Sequence, residues 1–301
     1  MNTHIPVLLD PIIGFYKLYN VGSTVFDGTF GGGGYSDAFI NLGSNVHASD
    51  LDENAINRAF KHDKLSLKQG NFADIIAEYE DKYFDLIVVD LGFSNNQLLI
   101  DDKGFSYQKK DQILDLRYDA SSGKSASEFL LANNYDTIRR VLFDNSGEQF
   151  SNKIATKIVE KREGYKIIKV SDLEAWVVEA IPMKFYNKRN QVLSRVWQAL
   201  RIHINSEFES LRNFLDIAPS KLRIGGILCV VNFHSLEDKI TTKKFRDLSK
   251  TFDLDNYGNK SQDYELLTKR PIVPDQQELD SNTQSRSATL RVIRRCPELN
   301  K

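Results

Sequence analysis

Apolar and polar residues alternate along the first ninety positions in segments that predict strands and helices in turn. Short strand-type runs cover Val25-Phe26, 46–49, 65–67 and 84–89, and the last is apolar almost throughout, which is typical of a strand buried on both faces. Between them, apolar residues recur at helical spacing, most clearly at 53–62. Strands that alternate with helices form parallel sheets, so this part of the chain predicts an α/β fold.

The pattern becomes mostly helical from about residue 106 to residue 194. A long helix is then predicted from about Ser194 to Leu215, and strand-type runs return at 225–231 and 289–293. An α/β core that is interrupted by helices and then resumed is the simplest interpretation. The predicted domains are a discontinuous α/β domain of residues 1–105 and 195–301 and an inserted helical domain of residues 106–194.

Three helix starts in the later part of the chain carry a possible capping signal. Ser125 and Glu128, and likewise Ser171 and Glu174, have the spacing of a capping box, in which the two side chains bond to each other's backbone N–H groups. Ser235 and Asp238 have a similar spacing. We therefore expect helices to begin just after these three serines.

Composition restricts the class of protein. The chain has 301 residues, 41% of them hydrophobic and 27% charged, with a formal net charge of -1, so it is globular and has no overall basic field. Its two cysteines, Cys229 and Cys296, form no C-x-x-C pair, so we expect no structural zinc site, no other metal site and no disulfide framework. Cys229 is expected to be a small buried hydrophobic residue. No apolar run is long enough for a membrane span and no signal peptide is evident, which predicts a cytoplasmic protein and leaves an organelle matrix open.

Four consecutive glycines, 31–34, lie between the first predicted strand and a helix that begins near Tyr35. A run of glycines weakens any regular element, so it is either a flexible linker or a place where backbone must approach a ligand closely. A strand, a glycine turn and a helix favour the second interpretation and put the ligand at the carboxyl edge of the sheet. The NAD fingerprint fails because Ser36 stands at its third glycine, and the P-loop fails because no Gly-Lys-Ser/Thr follows.

Polar residues end three of the predicted strands. Asp50 follows the second strand, 19 residues after Gly31 (50 − 31), where a carboxylate can bind the two hydroxyls of a ribose. Asp90 ends the fourth strand and either faces the same crevice or caps a local turn. His234 follows the strand at 225–231 and is either a base or substrate contact, or a polar residue satisfied within the fold.

Separate stretches of the chain match one family in order. They are HIPVLL at 4–9, DGTFGGGGYS at 27–36, DLD at 50–52, DLG at 90–92, GFSY at 104–107, LDLR at 114–117, WQALRI at 197–202, NSE at 205–207, FHSLED at 233–238 and RSATLR at 286–291. On these motifs the chain resembles the RsmH (MraW) family, the enzymes that methylate the N4 amine of a cytidine in small-subunit ribosomal RNA near the decoding centre. The resemblance covers nearly the whole chain.

The resemblance implies a Rossmann-like methyltransferase sheet with an inserted helical substrate-recognition domain, and S-adenosylmethionine (SAM) as cofactor. The partner it implies is small-subunit rRNA or the assembled small subunit, with no membrane partner and with a homodimer as an assembly to test. Asp90 is the candidate catalytic residue, facing the amine that is methylated. The implied SAM-binding residues are Gly33, Gly34 and Tyr35 on the methionine side, Asp50 at the ribose, Phe72 near the adenine, Asp90 and Gln97. The candidate RNA-binding residues are Arg117, Arg195, Arg201 and His234. Further cations cluster at Lys184, Lys188 and Arg189. These could contact phosphates, and the competing interpretation is a solvated helix face.

The chain departs from the family pattern around the expected crevice. Tyr35 stands where the family usually has His, and Phe93-Ser-Asn-Asn-Gln97 replaces a usual Val-Ser-Ser-Pro-Gln. These departures leave open a second function, a ribosome-assembly protein that keeps the fold and binds small-subunit rRNA with impaired catalysis. A methyltransferase acting on a small molecule or a protein is a third reading, which the whole-length resemblance disfavours.

Overall fold

The computed structural model describes residues 6–19, 22–92, 102–121, 123–250, 252–254 and 260–297. The chain divides into two compact units, one formed by Met1–Gly92 with Phe208–Lys301 and the other by Phe93–Glu207. The first unit is α/β and the second is helical, which confirms the predicted fold class and the helical insertion between the fourth and fifth strands.

The α/β unit is built on a sheet of seven strands in the described residues, in the order β3-β2-β1-β4-β5-β9-β8. Neighbours from β3 to β5 are parallel, whereas β9 is antiparallel to both β5 and β8. The chain moves outward in one direction from β1 to β2 and β3, and in the other from β4 to β5, so the order reverses beside β1. The strands are β1 (Thr24–Asp27), β2 (Asn45–Asp50), β3 (Leu65–Gln69), β4 (Phe84–Asp90), β5 (Leu222–Asn232), β8 (Tyr264–Leu266) and β9 (Thr289–Arg295), with a separate pair of β6 (Phe252–Leu254) and β7 (Lys260–Gln262).

Helices cover both faces of this sheet, because its central strands are apolar on both sides. The six residues of β4 before its last position are buried, and so are the last seven of β5, among them Cys229 as predicted. One apolar core lies on each face of the sheet. The helices of this unit are α1 (Leu9–Leu18), α2 (Gly34–Asn41), α3 (Glu53–Arg58), α4 (Phe72–Ala77), α10 (Glu207–Lys221), α11 (Ser235–Lys250) and α12 (Gln276–Ser281), with a 3-10 helix at Thr283–Ser287.

The inserted unit has an apolar core of its own, which includes Phe105, Trp176 and Trp197. The indole of Trp197 donates to the carbonyl oxygen of Gly104 at 3.0 Å, which satisfies its one polar group inside this core. The helices of this unit are α5 (Ala126–Ala132), α6 (Tyr135–Ser146), α7 (Ser151–Lys161), α8 (Val170–Ala180), a 3-10 helix at Met183–Lys188 and α9 (Arg189–Ile204).

The unit boundaries fall outside the predicted ones. The insertion extends beyond 106–194 at both ends, to Phe93–Glu207. The physical reason is burial, since Phe105 before the predicted start, and Val196 and Trp197 after the predicted end, belong to the core of the helical unit. Helical spacing alone did not reveal which core these residues would join.

The single long helix predicted from Ser194 to Leu215 is wrong. Two helices, α9 and α10, meet at Asn205 and Ser206, where Ser206 has a positive φ of 50°. The Asn205 side chain donates to the carbonyl oxygens of Arg201 and Leu116, at 2.9 and 2.7 Å. These bonds and the left-handed residue end α9, and both depend on a contact with a distant part of the chain.

One of the three predicted capping signals is confirmed. Ser125 and Glu128 form a capping box at the start of α5. At the second site the helix starts earlier, because the N–H of Lys169 donates to Asp172 at 2.8 Å, so the predicted Ser171 box is wrong. At the third, Glu237 accepts from the N–H of Phe233 at 2.8 Å, while Asp238 is paired with Arg291, so the cap is formed by a different acid from the one predicted.

Among the residues that the structure describes, no helix is long and apolar enough to cross a membrane. The same residues contain no group of three or more His, Cys, Asp or Glu side chains placed to hold a metal ion.

Candidate active site

The glycine loop after β1 leads directly into α2, at the place where the strand order reverses. Gly33 is the N-cap of α2 and has a φ of 78°, and Gly34 is the first helical residue. A Cβ atom on Gly33 would lie 2.7 Å from the rings of both Phe30 and Phe60, so this position requires glycine for its backbone angle and for its surroundings. In open α/β sheets, ligands bind in the crevice at such a switch point.

Asp50, at the end of β2, is joined directly to the glycine loop. Its Oδ2 accepts from the N–H of Gly31 at 2.7 Å, and its Oδ1 accepts from the N–H of Asp52 at 2.8 Å. Burial raises the pKa of Asp50, and these two backbone bonds act in the opposite direction. Each oxygen keeps acceptor capacity for a further donor such as a ribose hydroxyl.

Asp90, at the end of β4, is bonded to the same loop from the other side. Its backbone N–H donates to Thr29 Oγ1 at 2.7 Å, and its Oδ1 accepts from the N–H of Gly92 at 2.7 Å. Its Oδ2 lies 3.4 Å from the hydroxyl of Tyr35, which also donates to the carbonyl oxygen of Val7. The Asp90 carboxylate is therefore contacted by Gly92 and Tyr35, while its backbone is bonded to Thr29.

A third acid, Asp27, ends β1 and is fully buried between the other two. Its Oδ2 accepts from the hydroxyl of Ser36 at 2.7 Å. Sequence reasoning assigned no role to Asp27, although an acid that ends a parallel strand was the signal that identified Asp50 and Asp90. Thr29 was missed as well, and nothing local in the sequence distinguishes it.

These three acids, Asp27, Asp50 and Asp90, have no cationic partner in the part of the chain that the structure describes. Burial raises the pKa of Asp27 to about 6 and that of Asp90 to about 7. Buried acids without a cationic partner favour a ligand that carries positive charge. They disfavour the phosphates of a dinucleotide, in agreement with the failed NAD fingerprint.

Phe72 lies next to the glycine loop. It is the first residue of α4, whose start is capped by Asn71, and Asn71 Nδ2 also donates to Ser210 Oγ at 2.7 Å. The half-buried ring of Phe72 packs edge-on against Phe214 at 5.1 Å between centroids, and its Cβ is 3.0 Å from where a Cβ on Gly28 would be. An aromatic surface at this place suits the adenine contact that the sequence suggested.

Each of the three predicted RNA-binding arginines is engaged by a carboxylate of its own unit. Arg117 is paired with Asp115 at 2.7 Å and Arg201 with Glu207 at 2.8 Å, both through two nitrogens. The Arg195 guanidinium lies 2.7 Å from the fully buried carboxylate of Glu148. These pairings hold all three side chains against acids of the helical unit, and their contact with RNA stays a prediction.

His234, the fourth predicted RNA contact, follows β5 and lies beside Glu237. Its Nε2 is 2.8 Å from Glu237 Oε1, but the alignment is not that of a hydrogen bond, and neither ring nitrogen has a hydrogen-bond partner among the described residues. The ring packs near Phe208, 5.4 Å between centroids. The predicted Gln97, and the departures at Asn95 and Asn96, lie outside the described residues.

The fold and the site together define a Rossmann-like α/β protein of the methyltransferase type, with three acids clustered at the switch point of its sheet. The particular family is given by comparison with known proteins: the model of the MraW methylase family matches residues 1–296, and the chain belongs to that family.

Its relatives are of similar length. The chain is 35% identical over 287 residues to Ribosomal RNA small subunit methyltransferase H of Leptospira interrogans, a match that covers 91% of this chain and 83% of the relative. The protein of the same name from Rickettsia bellii is 35% identical over 305 residues, covering 97% and 98% of the two chains. A putative methyltransferase from Streptococcus mutans, solved in complex with SAH, covers 97% of this chain and 99% of that one at 13% identity and a TM-score of 0.38, too low for any conclusion about activity.

Proposed function

We propose that this protein transfers a methyl group from SAM to the N4 amine of a cytidine in small-subunit ribosomal RNA near the decoding centre. The observation that carries the proposal is the group of three carboxylates without cationic partners around the glycine loop, Asp27, Asp50 and Asp90. SAM carries a sulfonium and an ammonium group, which complement these carboxylates. The RNA substrate is supported by relatives named as ribosomal RNA small subunit methyltransferases over nearly the full chain.

The residues around the loop fit SAM part by part. Gly33, the N-cap of α2, and Gly34, its first residue, are the positions we assign to the methionine moiety. Asp50 has two oxygens oriented by backbone N–H groups and suits the ribose hydroxyls. The ring of Phe72 suits the adenine. Gln97, which belongs to the same expected set, stays a prediction.

Asp90 is the residue we assign to the target amine. When bound, SAM supplies an electrophilic methyl group, so the task left to the protein is to position and desolvate the acceptor. The exocyclic amine of cytosine is a weak nucleophile because its lone pair is delocalised into the ring. A carboxylate that accepts a hydrogen bond from this amine favours its rehybridisation and disperses the positive charge that develops on the nitrogen.

The protonation state of Asp90 then sets the pH dependence. In the ligand-free protein the pKa of Asp90 is about 7, so Asp90 is mostly neutral at lower pH and becomes an ionised, stronger acceptor above it. Methyl transfer should therefore rise as the pH passes through about 7. The target base must leave its stack to reach this edge of the sheet, which favours a single-stranded or locally opened RNA substrate.

The helical insertion is the part we assign to RNA recognition. The paired state of Arg117, Arg195 and Arg201 argues against phosphate contacts by these arginines, so their RNA role stays a prediction that the geometry does not favour. A ribosomal substrate is consistent with the expected cytoplasmic location. The homodimer stays a prediction for sedimentation analysis.

A ribosome-assembly role without catalysis remains the second candidate, favoured by Tyr35. This residue replaces the histidine usual in the family, and its hydroxyl lies against Asp90. The two functions are separated by incubating small subunits that lack the modification with labelled SAM and analysing the nucleosides by mass spectrometry. Label in N4-methylcytidine that is lost in the Asp90→Asn variant supports the methyltransferase function. Retained SAM and subunit binding with no label supports the assembly role.

A further inference from the structure

A concentration of cations without carboxylate partners lies on the helical unit, in the segment Met183–Gln191, which comprises the 3-10 helix and the start of α9 and is called the turn Met183–Gln191 below. This turn contains Lys184, Lys188 and Arg189 and no acidic residue. Eight of its nine residues are exposed and only Phe185 is half-buried. Among the described residues none of the three cations forms an ion pair, in contrast to Arg117, Arg195 and Arg201.

Aromatic rings hold these cations in place without neutralising them. The Lys184 and Lys188 ammonium groups lie 5.0 and 5.9 Å from the centroid of Phe185, and the Arg189 guanidinium lies 5.0 Å from that of Tyr186. A cation–π contact orients a cation and leaves its full charge available to an anion. The Tyr186 ring itself is 43% exposed, so it also has surface for a further contact.

The turn borders a cleft of about 470 Å³ in the same unit, lined by Tyr107, Lys110, Glu174, Tyr186 and Arg189 among others. Two cations line this cleft. Lys110 is paired with Glu174 at 3.1 Å, whereas Arg189 has no carboxylate partner in the described residues. Unpaired cations beside an exposed aromatic ring are what single-stranded nucleic acid requires, since phosphates need the charge and bases stack on the ring.

We propose that the turn Met183–Gln191 binds a single-stranded segment of the small-subunit rRNA, with Lys184, Lys188 and Arg189 on its phosphates and Tyr186 stacked on a base. This inference rests on the proposed function for the identity of the RNA. The RNA contact proposed here is made by the unpaired cations of this turn and not by Arg117, Arg195 and Arg201. In the sequence alone, these unpaired cations are equally consistent with a solvated helix face.

The test compares two double variants of the full chain that each remove two charges from the helical unit. Lys184→Gln/Lys188→Gln removes unpaired cations, whereas Lys157→Gln/Lys161→Gln removes lysines that pair with Glu179 at 3.1 and 3.2 Å. The affinity for small subunits lacking the modification is measured from 50 to 200 mM salt, without SAM. We expect the first variant to bind about tenfold more weakly and to reduce the slope of log affinity against log salt by about 1.4, at about 0.7 per phosphate contact. The second should stay within about twofold of wild type.

A third variant tests the stacking contact. Tyr186→Leu keeps every charge, so it should weaken binding about tenfold with an unchanged salt slope. Equal losses in the two double variants would indicate a general charge effect and overturn the proposal, as would wild-type affinity and slope in Lys184→Gln/Lys188→Gln. Wild-type binding by Tyr186→Leu would overturn the stacking contact. Methyl transfer is a separate readout: its absence alongside turn-dependent binding would contradict the proposed function and leave this inference standing.

Discussion

The hydroxyl group of Tyr35 lies with its oxygen 3.4 Å from Oδ2 of Asp90, and its O–H is also within donating reach of the carbonyl oxygen of Val7. A phenol hydroxyl has one hydrogen to donate, so only one of the two acceptors, Asp90 or Val7, receives it at a time. Once Asp90 ionises, a hydrogen bond to the charged oxygen is the stronger of the two, so Tyr35 stabilises the ionised acid.

Removing this hydroxyl should shift the pH dependence of methyl transfer. Burial and the nearby acids Asp27 and Glu237 raise the pKa of Asp90 to about 7, while the bonds from Gly92 and Tyr35 lower it. In Tyr35→Phe the pKa should rise, and the midpoint of the rate–pH curve should move to higher pH by about one unit, as expected for one charge-assisted hydrogen bond. Tyr16→Phe is the control, because its hydroxyl lies 3.1 Å from Ser44 Oγ, away from Asp90. An unshifted midpoint would show that Tyr35 does not act on Asp90.

Asp50→Ala should weaken SAM binding by about tenfold to a hundredfold, the value of one or two charge-assisted hydrogen bonds. The variant removes both the ribose acceptor and the bond that holds Gly31 at 2.7 Å. Calorimetric titration with SAM measures the effect, and Glu53→Gln, which changes an exposed acid three residues away, is the control. Lost transfer with wild-type SAM affinity would refute the ribose assignment.

Gly33→Ala should destabilise the protein more than Gly43→Ala. Both glycines have positive φ, 78° and 94°, but only at Gly33 would a Cβ meet ring atoms at 2.7 Å, whereas nothing lies within 4 Å at Gly43. We expect a loss of about 1 kcal/mol in the free energy of unfolding for Gly43→Ala and about 2–4 kcal/mol for Gly33→Ala. Denaturant titration measures the difference. SAM binding should be lost in Gly33→Ala alone, and equal effects in both variants would remove the packing argument.

Asp27→Asn should stabilise the SAM-free protein at pH 8 while weakening SAM binding. Burial raises the pKa of Asp27 from 3.8 to about 6, so the folded state holds this proton more tightly than the unfolded state does. The contribution to stability is therefore complete below pH 4 and is lost as the pH rises through 6. Asparagine avoids the buried charge, so we expect a gain of about 1–3 kcal/mol at pH 8 and little change at pH 4. Thermal unfolding at both pH values checks this, and a loss of stability at pH 8 would contradict it.

The affinity for SAM should fall on acidification more steeply than the affinity for S-adenosylhomocysteine. The two ligands differ in the sulfonium charge, and Asp90 and Asp27, with pKa values of about 7 and 6, become neutral as the pH falls. Between pH 8 and pH 5.5 we expect the preference for SAM to shrink by about tenfold, roughly one pKa unit of interaction. Titrations with both ligands measure it. A preference independent of pH would mean that these carboxylates do not face the sulfonium.

The sequence by itself determined the α/β class, the helical insertion, the glycine loop and the acids at the ends of β2 and β4. Each of these features depends on residues that are close together in the sequence. Apolar periodicity identifies an element, and the residue that follows a parallel strand lies at the carboxyl edge of the sheet. Asp27 follows the same rule and could have been found by it.

Only the tertiary structure decided which charged groups are already paired and where the elements end. Arg195 meets Glu148 across 47 residues, and Tyr35 reaches Val7 and Asp90 across 28 and 55. The break between α9 and α10 likewise depends on Asn205 bonding to Leu116, 89 residues away. A lysine or arginine looks the same in the sequence whether it binds RNA or a neighbouring carboxylate. For Arg195 the difference arises from long-range packing, which brings Glu148 to it across 47 residues. Arg117 and Arg201 pair with acids two and six residues away, while Lys184, Lys188 and Arg189 have no acidic partner among the described residues.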